Sequence, residues 1–173
     1  MNESVDYTCH IVSCAALDDQ TRRAMCELYL SSYEATTPEL FHADLLGKDE
    51  VLLLHASARL VGFTTLRVFD ERWQGLDIRV VYSGDTVVER AHWGQQSLSQ
   101  HWIRRMGQIK RQHPDKRLVW LLLVKGHRTY RYLHVFARTF HPREAVHDGD
   151  LAALADHLAR QHWPVDYHPA SGL

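Results

Sequence analysis

The chain has 173 residues, 45% hydrophobic and 24% charged, which predicts one globular domain over 1–173 and excludes a disordered chain. A net charge of −1 with histidine neutral gives no field that would attract nucleic acid or an anionic membrane surface. The longest apolar run, LVWLLLV at 118–124, is too short to span a bilayer, and Cys9, Cys14 and Cys26 form no C-x-x-C pair, so a reducing cytoplasm is expected.

The N-terminal stretch MNESVDYTCHIV lacks the basic-then-apolar order of a signal peptide. CHIVSCAA at 9–16 predicts a first strand. Asp18 then offers an N-cap, and Met25, Leu28, Tyr29 and Ser32 fall at helical spacing, so a helix is expected over about 19–34. Thr37 and Pro38 are start signals for a short second helix that Gly47 ends. EVLLLHA at 50–56 and LVGFTTLRVF at 60–69 read as an antiparallel hairpin, DERWQG as a turn, and LDIRVVYSGDTVV at 76–88 as a long strand. From Gly94, the residues Leu98, Trp102, Met106 and Ile109 keep to one helical face as far as about Gln112. LVWLLLV is apolar on both faces, which predicts a strand covered on both sides. Tyr130, Leu133 and Ala137 permit a helix that Pro142 stops, and Leu151, Leu154, Ala155 and Leu158 predict a last helix over 149–162. The tail VDYHPASGL reads either as an edge strand or as loose chain.

Chemistry concentrates at two places. Ser83-Gly84-Asp85-Thr86 interrupts an apolar strand, which costs stability unless those groups find partners or line a cavity. Strict alternation would put Tyr82, Gly84, Thr86 and Val88 on one face and Val81, Ser83, Asp85 and Val87 on the other. Gly84 suggests a bulge or a close ligand approach. Asp85 is a general-base candidate whose pKa partial burial would raise; the alternative is that it satisfies backbone N–H groups at a bulge. Further on, Gly94 is either a plain turn into the helix or a phosphate contact, and Trp93 reads as a packing residue. The second place is Lys125-Gly126-His127-Arg128-Thr129-Tyr130, where Arg128 could hold an anion bidentately while Arg138 reads as solvated. Of 13 histidines, His92 and His101 lie nine apart and His157 and His162 five apart, with no cysteine near, so no metal site is expected. The basic segment Arg104, Arg105, Lys110, Arg111, Lys116 and Arg117 has no interleaved aromatics, which argues against nucleic acid.

The order strand, helix, helix, three-strand meander, helix, apolar strand, helix resembles the GCN5-related N-acetyltransferase (GNAT) superfamily over roughly residues 9–137. The resemblance implies an α/β (α+β) fold with a mixed, mainly antiparallel central sheet covered by helices on both faces. It implies that backbone groups at Thr86, Val87 and Val88 hold the pantetheine arm of an acyl-CoA, and that the turn Gly94-Gln95-Gln96-Ser97 meets its pyrophosphate. The family's Gln/Arg-x-x-Gly-x-Gly/Ala loop keeps only Gly94 here, with Trp93 at the basic or amide position. By the same resemblance Asp85 acts as base, and Tyr130 (or Tyr132) as acid to the departing thiolate. Acceptor contacts would come from Tyr33, Glu34, Tyr82, Ser83, His127 and Arg128. The implied activity is direct, base-assisted transfer from acetyl-CoA, another acyl-CoA or an acyl-carrier-protein thioester to a small-molecule or protein nucleophile. The alternatives are a biosynthetic enzyme on this fold that does not use CoA, which the depleted glycines favour, and a non-catalytic ligand-binding module.

Overall fold

A computed structural model describes residues 5–124, 127–144, 146 and 148–170, which divide into two compact units, Met1–Leu123 and Val124–Leu173. In the first, five strands pair in chain order: β1 (Tyr7–Ser13), β2 (Glu50–Ala56), β3 (Arg59–Trp73), β4 (Leu76–Val88) and β5 (Arg117–Leu122). β1 to β4 are antiparallel neighbours, whereas β5 joins β4 in parallel, because helix α3 (Ser97–Gln112) carries the chain back between them. Helices α1 (Asp19–Ser32) and α2 (Pro38–Leu46) connect β1 to β2.

The capping signals act as the sequence indicates. Asp18 accepts from the Thr21 N–H at 2.7 Å to start α1, and Thr37 accepts from Leu40 with Pro38 in the first turn of α2. The third turn differs from expectation. β3 runs on to Trp73, so DERWQG is mostly strand, and the reversal needs only Gln74 and Gly75, both at positive φ (49° and 82°). That pair forms the two-residue hairpin turn whose twist matches the flanking strands.

The sheet is covered on both faces. On one, Met25, Leu28 and Tyr29 of α1 and Phe41 and Leu45 of α2 pack on Val51, Leu53, Phe63 and Val87. On the other, Leu98, Met106 and Ile109 of α3 pack on Leu52, Leu54, Leu66 and Val81. Arg105 of α3 also grips the Glu50 carboxylate through two nitrogens, at 2.7 and 2.6 Å.

A bulge in β4 changes the alternation expected from sequence. Thr64 pairs with Thr86 and Leu66 with Ser83, so Thr65 alone spans Gly84 and Asp85. The extra residue flips the faces that follow: Val81 and Val87, six apart, enter opposite cores. Asp85 and Val87 therefore do not share the face of Ser83. β5 also departs from expectation. It is the last strand of the sheet, not an interior one, and is half-buried from Leu118 to Leu122.

The second unit holds α4 (His127–Phe136) and α5 (Gly149–His162), the latter capped by Asp148 accepting from the Leu151 N–H at 3.0 Å. Residues 163–170 form turns, not an edge strand, and the Tyr167 hydroxyl donates to Asp156 at 3.0 Å.

Candidate active site at the end of the fourth strand

β4 outruns its parallel neighbour. Pairing with β5 stops at Ser83 and Leu122, while pairing with β3 continues to Val88. From Gly84 onward, among the described residues, one edge of β4 has no strand paired to it, and Thr86 there is exposed. Two carbonyls on this stretch already accept from side chains: Thr86 from the Tyr33 hydroxyl at 3.2 Å, and Val88 from the Trp93 indole N–H at 2.8 Å.

The bulge lies where the β5 ladder ends, and it brings Asp85 near Tyr33 and Tyr82. Burial first, and then the Asp85 charge, push the Tyr33 hydroxyl up to about 12. Burial, Asp44 and Asp85 in that order push Tyr82 still higher. Both phenols thus stay protonated at neutral pH and can donate hydrogen bonds. Glu34, one residue beyond Tyr33, is exposed.

Lys48 forms the back of this corner and was not singled out by sequence. Its side chain is 3% exposed, and its ammonium donates to the Asp44 carboxylate (2.5 Å) and carbonyl (3.2 Å). The same ammonium lies 5.3 Å from the centre of the Tyr82 ring, a cation–π contact. A Cβ on Gly84 would stand 2.5 Å from Lys48 Cε and collide with the Thr65 hydroxyl. Gly84 is needed for that close approach, since its φ is not positive.

The other candidates of β4 lie elsewhere. Ser83 is buried on the α3 side, where its Oγ accepts from the indoles of Trp102 (3.3 Å) and Trp120 (2.8 Å). The Thr86 hydroxyl bonds Thr64 at 2.7 Å, and Val87 belongs to the core under α1 and α2.

After β4 the chain is pinned before it turns. Arg59 pairs with Glu89 and bonds His92 Nε2 at 3.2 Å, and His92 Nδ1 meets the Tyr7 hydroxyl at 2.9 Å. Gly94 then adopts φ +90°, a conformation that favours glycine, with open space where a Cβ would point. Gln95 Oε1 accepts from the Leu98 N–H at 3.3 Å, while Gln96 and Ser97 open α3. Gln96 makes no side-chain cap and no acid lies in the first turn, so the end of the helix carries no charge that would repel a phosphate.

In the second unit the Tyr130 hydroxyl donates to the Pro142 carbonyl at 2.7 Å, and its ring lies 5.0 Å from His134 and 6.1 Å from Phe140. Tyr132 is 44% exposed and stacks on Phe136 at 5.8 Å. His127 and Arg128 begin α4, but their side chains, like Lys125 and Gly126, lie outside the described residues. Among the described residues no three His, Cys, Asp or Glu side chains are grouped to hold a metal ion, and no helix is long and apolar enough to cross a membrane.

This five-stranded mixed sheet between helices is the GNAT fold, as solved structures show. The chain superposes on the ribosomal-protein-alanine N-acetyltransferase of Brucella melitensis biovar Abortus 2308 with a TM-score of 0.58 and 14% identity, covering 83% of this chain and 99% of that one. An acetyltransferase of Trypanosoma brucei matches at TM-score 0.54 and 17% identity, over 83% of this chain and 99% of its own. The aminoglycoside N-acetyltransferase AAC(6′)-Iy, in complex with CoA, matches at 0.59 and 10% identity, over 86% and 97%. No protein-family model and no curated protein sequence matches the chain.

Proposed function

We propose that the protein is an acyltransferase that moves an acyl group from an acyl-CoA, or from an acyl-carrier-protein thioester, to a nucleophile held beside Asp85. The observation that carries this reading is the bulge that presents Asp85 where β4 loses its β5 partner, next to the one-sided edge 84–88. The bound thioester supplies the activated acyl group. Asp85 takes the proton of the acceptor amine or hydroxyl, so that the acceptor can form the new acyl bond as the thiolate departs. Tyr33 and Tyr82, protonated, orient the acceptor, with Glu34 at the rim. Backbone groups from Thr86 to Val88 hold the extended arm of the donor, and the turn from Gly94 to Ser97 receives its phosphates. Ser83 has no part, because it faces the α3 core. The buried thiols of Cys9, Cys14 and Cys26 suit the cytoplasm, where CoA is available.

A second reading keeps the fold and the Asp85 corner but dispenses with CoA. It is favoured by the Thr86 and Val88 carbonyls being already bonded within the chain. Thiol release from acetyl-CoA in the presence of a panel of amines tests the first reading. Asp85→Asn should lower turnover by about 10²–10⁴-fold with the fold intact; undiminished turnover in that variant would refute the role given to Asp85.

A further inference from the structure

A strand edge with free backbone groups is a template for an extended chain, which binds by supplying the hydrogen bonds a neighbouring strand would make. β4 is paired with β5 only as far as Ser83, and beyond it the carbonyl of Val88 accepts from the Trp93 indole N–H at 2.8 Å. Trp93 stands between a fixed point and a pivot. His92, before it, is held by Tyr7 and Arg59, and Gly94, after it, has positive φ and open space around it. The indole is 50% exposed, with the Arg90 guanidinium 5.6 Å from the ring centre.

We propose that Trp93 is an edge cap: its indole N–H competes with an amide N–H of an extended ligand for the Val88 carbonyl and must turn away at Gly94 before that ligand binds. This rests on the acyl-CoA reading above, in which the amide-bearing ligand is the pantetheine arm. Removing one such competing bond should raise affinity by about three- to tenfold.

The test is calorimetric titration of the wild-type protein, Trp93→Phe and Trp93→Ala with CoA, pantetheine and adenosine 3′,5′-bisphosphate, after circular dichroism shows each variant folded. Trp93→Phe keeps the aromatic bulk and guards against a loss of packing in Trp93→Ala. Both variants should bind CoA and pantetheine about three- to tenfold more tightly, with the bisphosphate unchanged. In the wild-type protein the indole N–H resonance missing from Trp93→Phe should be protected from solvent and lose that protection when CoA is added. If CoA binds all three proteins equally, or binds the variants more weakly, the cap is refuted and the acyl-CoA reading stands. If CoA binds none of them, the acyl-CoA reading fails and the cap fails with it.

Discussion

Lys48 fills the space that a side chain at residue 84 would need, its Cε lying 2.5 Å from where a Cβ on Gly84 would be. The bulge that presents Asp85 is therefore built against a lysine stem, with the Thr65 hydroxyl on the other flank. Gly84→Ala should lower stability by about 1–3 kcal/mol, the usual cost of overpacking, measured as a shift in urea midpoint at unchanged slope. It should also weaken any ligand held beside Asp85, because relief comes from moving either Lys48 or the bulge.

The two partners of the Lys48–Asp44 pair should respond unequally to removal. Lys48 is 3% exposed in its side chain and Asp44 is 46% exposed. Asp44→Ala leaves a buried ammonium without its carboxylate and should cost about 3 kcal/mol. Lys48→Met leaves a carboxylate that water can reach and fills the same channel with apolar atoms, so it should cost less than about 1.5 kcal/mol. Equal losses in urea denaturation would show that the ammonium is hydrated.

Ser83→Ala deletes the oxygen shared by the indoles of Trp102 and Trp120, whose rings lie 4.3 Å apart. A loss of about 1–3 kcal/mol is expected, together with a change in tryptophan fluorescence. Acyl transfer by the folded variant should match that of the wild-type protein, since Ser83 faces away from Asp85.

Stability should fall on acidification in two stages. Burial and the neighbouring His10 hold His55 below its ordinary 6.5, so folding favours the neutral ring. That contribution is present above pH 6.5 and is lost as pH drops through the lower folded value. Bonds from Lys116 and Arg79 hold Asp70 below 3.8, and the Arg59 guanidinium holds Glu89 below 4.5. Their contributions are present above those values and are lost as pH falls below them. The urea midpoint should be flat between about pH 7 and 8, decline from about 6.5 and steepen below about 4.5; His55→Gln should flatten the first stage alone.

Most of the element order was legible because local signals and tertiary packing agree. Asp18, Thr37 and Pro38 mark helix starts in sequence and serve as such in the structure, and the apolar positions of α3 are those that enter the core. The parts that escaped depend on spatial neighbours. Alternation assumes a regular strand, so it grouped Asp85 with Ser83, where the bulge opposite Thr65 separates them; Gly84 was the one available signal. Lys48 sits in the Gly-Lys-Asp-Glu link between α2 and β2 and carries no motif, and only the packing of Tyr82 and Gly84 around it shows its place. LVWLLLV promised an interior strand, but its place at the end of the sheet is a matter of topology, which apolar composition does not encode.

In the proposed function, the corner of Asp85, Tyr33 and Tyr82 serves a thioester donor lying along β4. Isothermal titration calorimetry with acetyl-CoA and longer acyl-CoAs tests it most directly. Saturable binding with a dissociation constant in the micromolar range is the expected result. An absence of binding heat at millimolar acyl-CoA, at two temperatures and with the protein shown to be folded, would contradict it.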